Sequence, residues 1–267
     1  MPGATTRFEQ RTALVTGAGM GIGAAIAAVL AERGAHVVVN DIDEVAAAHT
    51  VGPIKAAGGA ASIAVADVGD LAAAETIIDQ VRAQRGSVDI LVNNAGIGHD
   101  PMPIEALEFA EIDRRYAVNL RAQIALARAV VPAMRENQWG RIINIGSRSW
   151  LGAPGQSDYA ALKAAVVGFT RSLALEVARD GITVNAVVPG SIRTPAFDRL
   201  APASVQRLID SHPARRFGEP RDIGRAVAFF AAVEARALTG QVLHVCGGRS
   251  LYGGPVETLS QLVPNTR

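Results

Sequence analysis

Seven short runs of apolar residues punctuate this chain, at 12–16, 36–40, 62–66, 89–93, 141–145, 182–188 and 241–245. Each is short and rich in β-branched residues, as in Val37-Val38-Val39 and Ile142-Ile143-Asn144-Ile145, so each reads as a strand. Between them lie stretches of helical composition. The first, Ala24 to Arg33, is alanine-rich and closes at Gly34, the position of a helix C-cap. Strands that alternate with helices build βαβ units, and hence a parallel sheet covered on both faces. Right-handed crossovers then leave a doubly wound α/β sheet of about seven strands as the expected architecture.

In such a sheet, ligands bind beyond the carboxyl ends of the strands, near the point where strand order reverses. Gly17, Asp41, Asp67, Asn94, Ser147 and Pro189 all fall at or just past the expected strand ends, so the chemistry converges on one edge. The first connection reads Gly17-Ala18-Gly19-Met20-Gly21-Ile22-Gly23 and leads from strand into helix. Glycines there let the backbone turn tightly and bring its N–H groups against a pyrophosphate, with the helix N-terminus adding partial positive charge. The loop has no Lys-Ser/Thr ending, which excludes a P-loop, and Ile22 stands where the common G-x-G-x-x-G pattern needs its last glycine. The pattern that fits is T-G-x-x-x-G-I-G, from Thr16 to Gly23.

The bulk properties narrow the picture. A formal net charge of +1 with scattered arginines offers no field for nucleic acid, and no apolar run is long enough for a membrane span. The N-terminus lacks the apolar core of a signal peptide, and a lone Cys246 cannot form an internal disulfide; a cytoplasmic protein is expected. No linker or repeat interrupts residues 1–267, which read as one domain, with 12–96 mainly for cofactor and 97–250 for catalysis and substrate. The stretch 191–220 carries Pro195, Pro202, Pro213 and Pro220 and reads as a lid. Dispersed histidines give no metal motif.

One further feature concerns lysine. Of 26 basic Lys and Arg residues only Lys55 and Lys163 are lysines, and Lys163 follows Tyr159 by four residues. That is about one helical turn, so phenol and ammonium share a face. A compact ammonium suits several hydrogen bonds about one point, and its charge acts on a neighbour's pKa. Ser147 lies twelve residues upstream of Tyr159.

Taken in order, Thr16 to Gly23, Asp67-Val68, Asn93-Asn94-Ala95-Gly96, Asn119, Ser147, Tyr159 with Lys163, Pro189 to Thr194 and Thr239-Gly240-Gln241 resemble the short-chain dehydrogenase/reductase family over nearly the whole chain. The resemblance implies a Rossmann-type domain and a nicotinamide cofactor. It implies Tyr159 as general acid/base, Lys163 lowering its pKa and holding the ribose, Ser147 (with Ser149 as rival) on the substrate oxygen, and Asn119 anchoring a water chain to the lysine. Asp41 is expected on the adenosine ribose; Met20 and Ile42, where a base would select a 2'-phosphate, are uncharged, so NAD is favoured over NADP. Asp67 and Val68 are expected around adenine, Asn94, Ala95 and Gly96 along the cofactor, and Pro189, Gly190, Ile192 and Thr194 near nicotinamide, with Ile192 and Thr194 on its carboxamide. By position after strand ends, Trp150 and Phe197, with His99, Arg148 and Tyr252, are expected to line the pocket of a small-molecule alcohol or ketone. The family likeness and the apolar stretches 124–131 and 164–169 point to a homotetramer. A 3-oxoacyl-carrier-protein reductase using NADPH and a non-catalytic dinucleotide-binding regulator stand as alternatives.

Overall fold

The computed structural model describes residues 8–194 and 202–251. One seven-stranded, wholly parallel sheet runs through it in the order β3-β2-β1-β4-β5-β6-β7. Its strands are β1 (Thr12–Val15), β2 (His36–Asp41), β3 (Ala60–Val65), β4 (Ile90–Asn93), β5 (Gly140–Ile145), β6 (Ile182–Pro189) and β7 (Val242–Val245), each within about two residues of the apolar runs. Helices α1 (Gly21–Glu32), α2 (Glu44–Ala56), α3 (Leu71–Arg85), α4 (Phe109–Tyr116), α5 (Ala122–Glu136), α6 (Ser157–Val177), α7 (Pro202–Asp210) and α8 (Pro220–Ala231) connect them. Among the described residues no helix is long and apolar enough to cross a membrane.

The uninterrupted apolar runs have a direct cause. Successive strand residues point to opposite faces, and both faces are buried. Ala13 and Val15 of β1, Val37 and Val39 of β2, and Ile90 and Val92 of β4 pack with Ile26, Leu30, Ile223 and Val227 of α1 and α8. Leu14, Val38 and Leu91 face the other way, onto Ile77, Val81, Leu126 and Met134 of α3 and α5. A polar alternation would leave one face in water, and no position of β1 or β4 is exposed.

Between α4 and α5 runs a π turn, Ala117–Arg121, in which Asn119 sits. Such single wide turns re-aim a side chain at the cost of regular hydrogen bonding. The expected lid begins and ends tied down, since Ile192 bridges Gly218, and the Arg193 and Gly218 N–H groups donate to Gly218 and Ser191 carbonyls. Phe197 and Tyr252 lie outside the described residues.

The sheet starts from a buried carboxylate. Asp89, just before β4, accepts from the Thr12 backbone N–H at 2.8 Å and from Arg11 at 3.0 Å, pinning the entrance of β1. Asp89→Ala leaves the Thr12 N–H buried without a partner, and a loss of about 2 kcal/mol in unfolding free energy is expected. Denaturant titration with unchanged slope checks it; an unaltered midpoint would remove Asp89 from this role.

Candidate active site at the carboxyl edge of the sheet

Strand order reverses between β1 and β4, and the turns leaving these strands are laced together. The Thr16 hydroxyl accepts from the backbone N–H groups of Asn94 and Ala95, both at 3.0 Å. In return the Asn94 side-chain amide donates to the Thr16 and Gly17 carbonyls at 2.9 Å. This closeness dictates glycine. A Cβ at Gly17 (φ +59°) would meet Ala95 Cα at 2.8 Å, and one at Gly23 would lie 2.2 Å from the Gly17 carbonyl oxygen. Helix α1 then begins at Gly21 behind Met20, with no side-chain cap and no acidic residue in its first turn. Its first N–H groups therefore face outward as an anion site.

A groove of about 880 Å³ opens here, lined by Gly17, Met20 to Gly23, Asn40 to Ile42, Ala66 to Asp70, Asn94 to Ile97 and Thr194. Arg114 of α4 and Ala117 and Val118 of the π turn close one side. Gly19 is not in the lining; its N–H donates to Asp41 Oδ2 at 2.8 Å, and a Cβ there would strike that carboxylate and Ala46. Asp41 thus braces the glycine loop while bordering the groove. Asp43, rather than Asp41, caps α2 by accepting from Val45 and Ala46, and Asp70 rather than Asp67 caps α3. Met20 and Ile42, 66% and 68% exposed, flank the Asp41 end with apolar surface. Of the 189–194 segment only Thr194 borders the groove. Ile192 is buried in the core, and Gly190 permits close approach to Cys246, where a Cβ would meet Cys246 Cα at 2.7 Å. The bend after β6 thus spends Ile192 on core packing.

At the groove's inner end, four chemically expressive side chains come together. Asn119 is fully buried, donating to the Ile97 carbonyl at 2.7 Å and accepting from its N–H at 2.8 Å. A Cβ on Gly96 would lie 2.8 Å from Asn119 Oδ1 and 3.6 Å from Lys163 Nζ, so the backbone at 96 is squeezed against both. The Lys163 ammonium donates to the Ile145 carbonyl at 3.0 Å and sits 5.7 Å from the centre of the Tyr159 ring. Burial pulls its pKa down to about 8. Burial pushes the Tyr159 phenol up, and a hydrogen bond with Ser147 pulls it partly back. In the fold by itself desolvation dominates, so the phenol lies above its ordinary value. Ser147 also accepts from the Ser149 N–H at 3.2 Å, which places it rather than Ser149 beside the phenol.

Two residues expected at the pocket have partners in the fold. The His99 ring meets Asp158 at 2.8 Å, and Arg115 grips the other carboxylate oxygen at 2.6 Å, all three side chains being nearly excluded from water. Burial alone would raise the Asp158 carboxyl, but hydrogen bonds from His99 and Arg115 outweigh it and hold it low. Trp150 donates its indole N–H to His244 Nε2 at 3.0 Å and stacks on that ring, so it is a wall braced by β7. Among the described residues no group of three or more His, Cys, Asp or Glu is placed to hold a metal.

An open parallel sheet with a glycine-walled groove and a free helix N-terminus at its switch point defines a dinucleotide-binding α/β protein. A family model described as enoyl-(acyl carrier protein) reductase matches residues 17–250. The chain is 45% identical over 92% of its length to subunit BbsD of the (2S)-[(R)-hydroxy(phenyl)methyl]succinyl-CoA dehydrogenase of Thauera aromatica, covering 99% of it. It is 43% identical to the 3-oxoacyl-[acyl-carrier-protein] reductase FabG of Escherichia coli, over 90% of this chain and 98% of that one. A solved gluconate 5-dehydrogenase from Burkholderia cenocepacia, in complex with NADP and tartrate, superposes with a TM-score of 0.86 at 37% identity, over 92% of this chain and 97% of that one. The chain belongs to the short-chain dehydrogenase/reductase family of oxidoreductases.

The buried ammonium has a cost that can be read directly. With a folded pKa of about 8 against an ordinary 10.5, the fold disfavours the charged form. The penalty is fully present below about pH 8 and disappears as pH rises towards 10.5. Lys163→Met, measured without added cofactor, is expected to raise stability at pH 7 by about 2 kcal/mol after allowing for the lost Ile145 bond. The gain should shrink as pH approaches 10. A variant no more stable than the native chain at pH 7 would contradict the reading.

Proposed function

We propose that this protein is an NAD-dependent oxidoreductase that moves a hydride between nicotinamide C4 and a secondary alcohol or ketone. The observation that carries the reading is the meeting of Ser147, Tyr159, Lys163 and Asn119 at the inner end of a groove whose outer end suits a dinucleotide. Hydride chemistry is what a bound nicotinamide supplies; proton transfer and orientation fall to the chain. Gly17, Gly21, Ile22, Gly23 and the α1 N-terminus would hold the pyrophosphate, Asp41 the adenosine ribose, Asp67 and Val68 the adenine, and Asn94 to Gly96 with Thr194 the nicotinamide half.

Tyr159 delivers a proton to the carbonyl oxygen during reduction and takes one from the hydroxyl during oxidation. Its raised pKa keeps the phenol protonated and ready as an acid at neutral pH. Ser147 donates a hydrogen bond to the same substrate oxygen as charge develops. Lys163 keeps a positive charge beneath the phenol below about pH 8, favouring the phenolate during oxidation. Asn119 holds the 96–97 backbone against that ammonium.

Asp41 and the uncharged Met20 and Ile42 favour NAD, because a 2'-phosphate would meet a carboxylate and no cation. The second reading is an NADPH-dependent 3-oxoacyl-carrier-protein reductase, favoured by the Escherichia coli relative, by the NADP in the Burkholderia structure and by Arg114 on the groove. A regulator without catalysis has nothing specific in its favour, since it has no use for a buried lysine. Assembly into a tetramer is supported by exposed apolar residues on two helices, Phe109 of α4 and Leu175 of α6.

A screen of secondary alcohols and ketones with both cofactors, following absorbance of the reduced nicotinamide, tests the reading. NAD is expected to give the higher kcat/KM, and Asp41→Ala to narrow the gap by about tenfold or more, as a lost charge discrimination of roughly 1.4 kcal/mol requires. A native preference for NADP refutes the assignment.

The lysine provides an independent check. Lys163→Arg keeps the charge but not the geometry, and kcat should fall by about a hundredfold or more with the fold intact. Tyr159→Phe should be as damaging and should abolish the rise of oxidation rate with pH. Near-native turnover in Lys163→Arg would show the ammonium to be structural.

A further inference from the structure

Beyond Ser147 the carboxyl edge of the sheet carries a second polar cluster that proton transfer does not use. Arg148 follows Ser147 on the turn after β5, Arg249 lies on the turn after β7, and His212 follows α7. The turns are packed together. The Ala214 N–H donates to the Gly247 carbonyl at 3.0 Å, and a Cβ on Gly247 would lie 3.7 Å from His212 Cδ2. The Trp150–His244 pair ties the 148–151 turn to β7.

Among the described residues neither guanidinium has a hydrogen-bonding or ionic partner, although both side chains are half-buried. The carboxylate on the adjoining segment, Asp210, is taken by Gln206 and Arg215. Burial, and then Arg148, hold Arg249 below the ordinary arginine value. His212 is 1% exposed; its Nδ1 faces the Leu208 carbonyl at 2.6 Å and must donate to it. Its Nε2, on the ring edge towards Gly247, is buried with no partner. Burial lowers this ring's pKa against the pull of the Leu208 hydrogen bond, with Arg249 and Arg148 adding to burial, and with Nδ1 donating to Leu208 the neutral ring leaves Nε2 as a lone pair in want of a donor.

Two half-buried like charges and an orphaned acceptor are costly left alone. A bound molecule relieves all three if it brings an anion to the arginines and a hydroxyl to the histidine. A carboxylate matches the planar fork of each guanidinium. We propose that Arg148, Arg249 and His212 form a carboxylate subsite, and that the substrate is a hydroxy or keto acid whose reacting carbon lies at Ser147 and Tyr159 while its acid group sits between the arginines. This rests on the oxidoreductase reading for the reacting carbon, but the anion site stands on its own residues.

The test is a panel of 2- and 3-hydroxy acids, each paired with its methyl ester, followed by turnover and by equilibrium titration of tryptophan fluorescence, to which Trp150 reports. Free acids are expected to exceed their esters by about tenfold or more in kcat/KM, through KM, and in binding. Arg148→Gln and Arg249→Gln should each bring the acid-to-ester ratio towards one. The ratio is an internal control, since a variant that merely misfolds loses acid and ester together. No acid bound better than its ester, or equal losses on both in the variants, overturns the subsite. Acid-selective binding without turnover supports the subsite and sinks the oxidoreductase reading; turnover of neutral alcohols with no acid preference does the reverse.

Discussion

Everything in this molecule's candidate chemistry depends on how closely the turn after β1 is pressed against the turn after β4. At that point the crossovers diverge to opposite faces, which opens a crevice, and the crevice is usable only if its floor is backbone. The Thr16 hydroxyl and the Asn94 amide hold the two turns together by four hydrogen bonds. Gly17 and Gly23 fill contacts too short for any side chain. The free N-terminus of α1, the position of Asp41 and the line of backbone from Asn94 to Ile97 all follow from this lacing.

The inner end of the groove works by a different principle, the removal of water. Lys163 and Tyr159 are both pushed by burial towards their neutral forms, the ammonium down and the phenol up. Their ionised states are disfavoured while no polar group shares the space. The Arg115–Asp158–His99 network, dry and fully engaged, grips the first turn of α6 one residue before the tyrosine. Buried ion pairs of this kind add little net stability, but they admit few alternative arrangements. The same first turn is tied to the 97–102 loop through Gln156 and the His99 carbonyl. The Tyr159 ring is thereby fixed relative to the backbone that borders the groove.

Much of this was legible in the residues alone. Strands buried on both faces announce themselves as continuous apolar runs, which is why the seven strands and their parallel order were readable. The glycine loop was equally plain, because close backbone contact admits one residue type and leaves a mark in the sequence. The Tyr159–Lys163 spacing on a helix was read correctly as a shared face. The roles of individual polar side chains were less accessible. His99, Trp150, Gly19 and Ile192 stand at the expected points along the chain, but their partners, Asp158, His244, Asp41 and the core, come from segments remote in sequence or from local bends. The π turn that holds Asn119 has no compositional signature.

The sequence by itself therefore determined the architecture, the edge of the sheet where ligands belong and the residue types that meet there. Periodicity and steric necessity are local, and local rules are written residue by residue. Only the tertiary structure decided which polar groups lose their water and which find partners. It left Lys163 buried against one carbonyl, joined His99 to Asp158 and left Arg148 and Arg249 with no carboxylate partner among the described residues. Desolvation and pairing depend on every element packed around a group, and no stretch of chain specifies that alone.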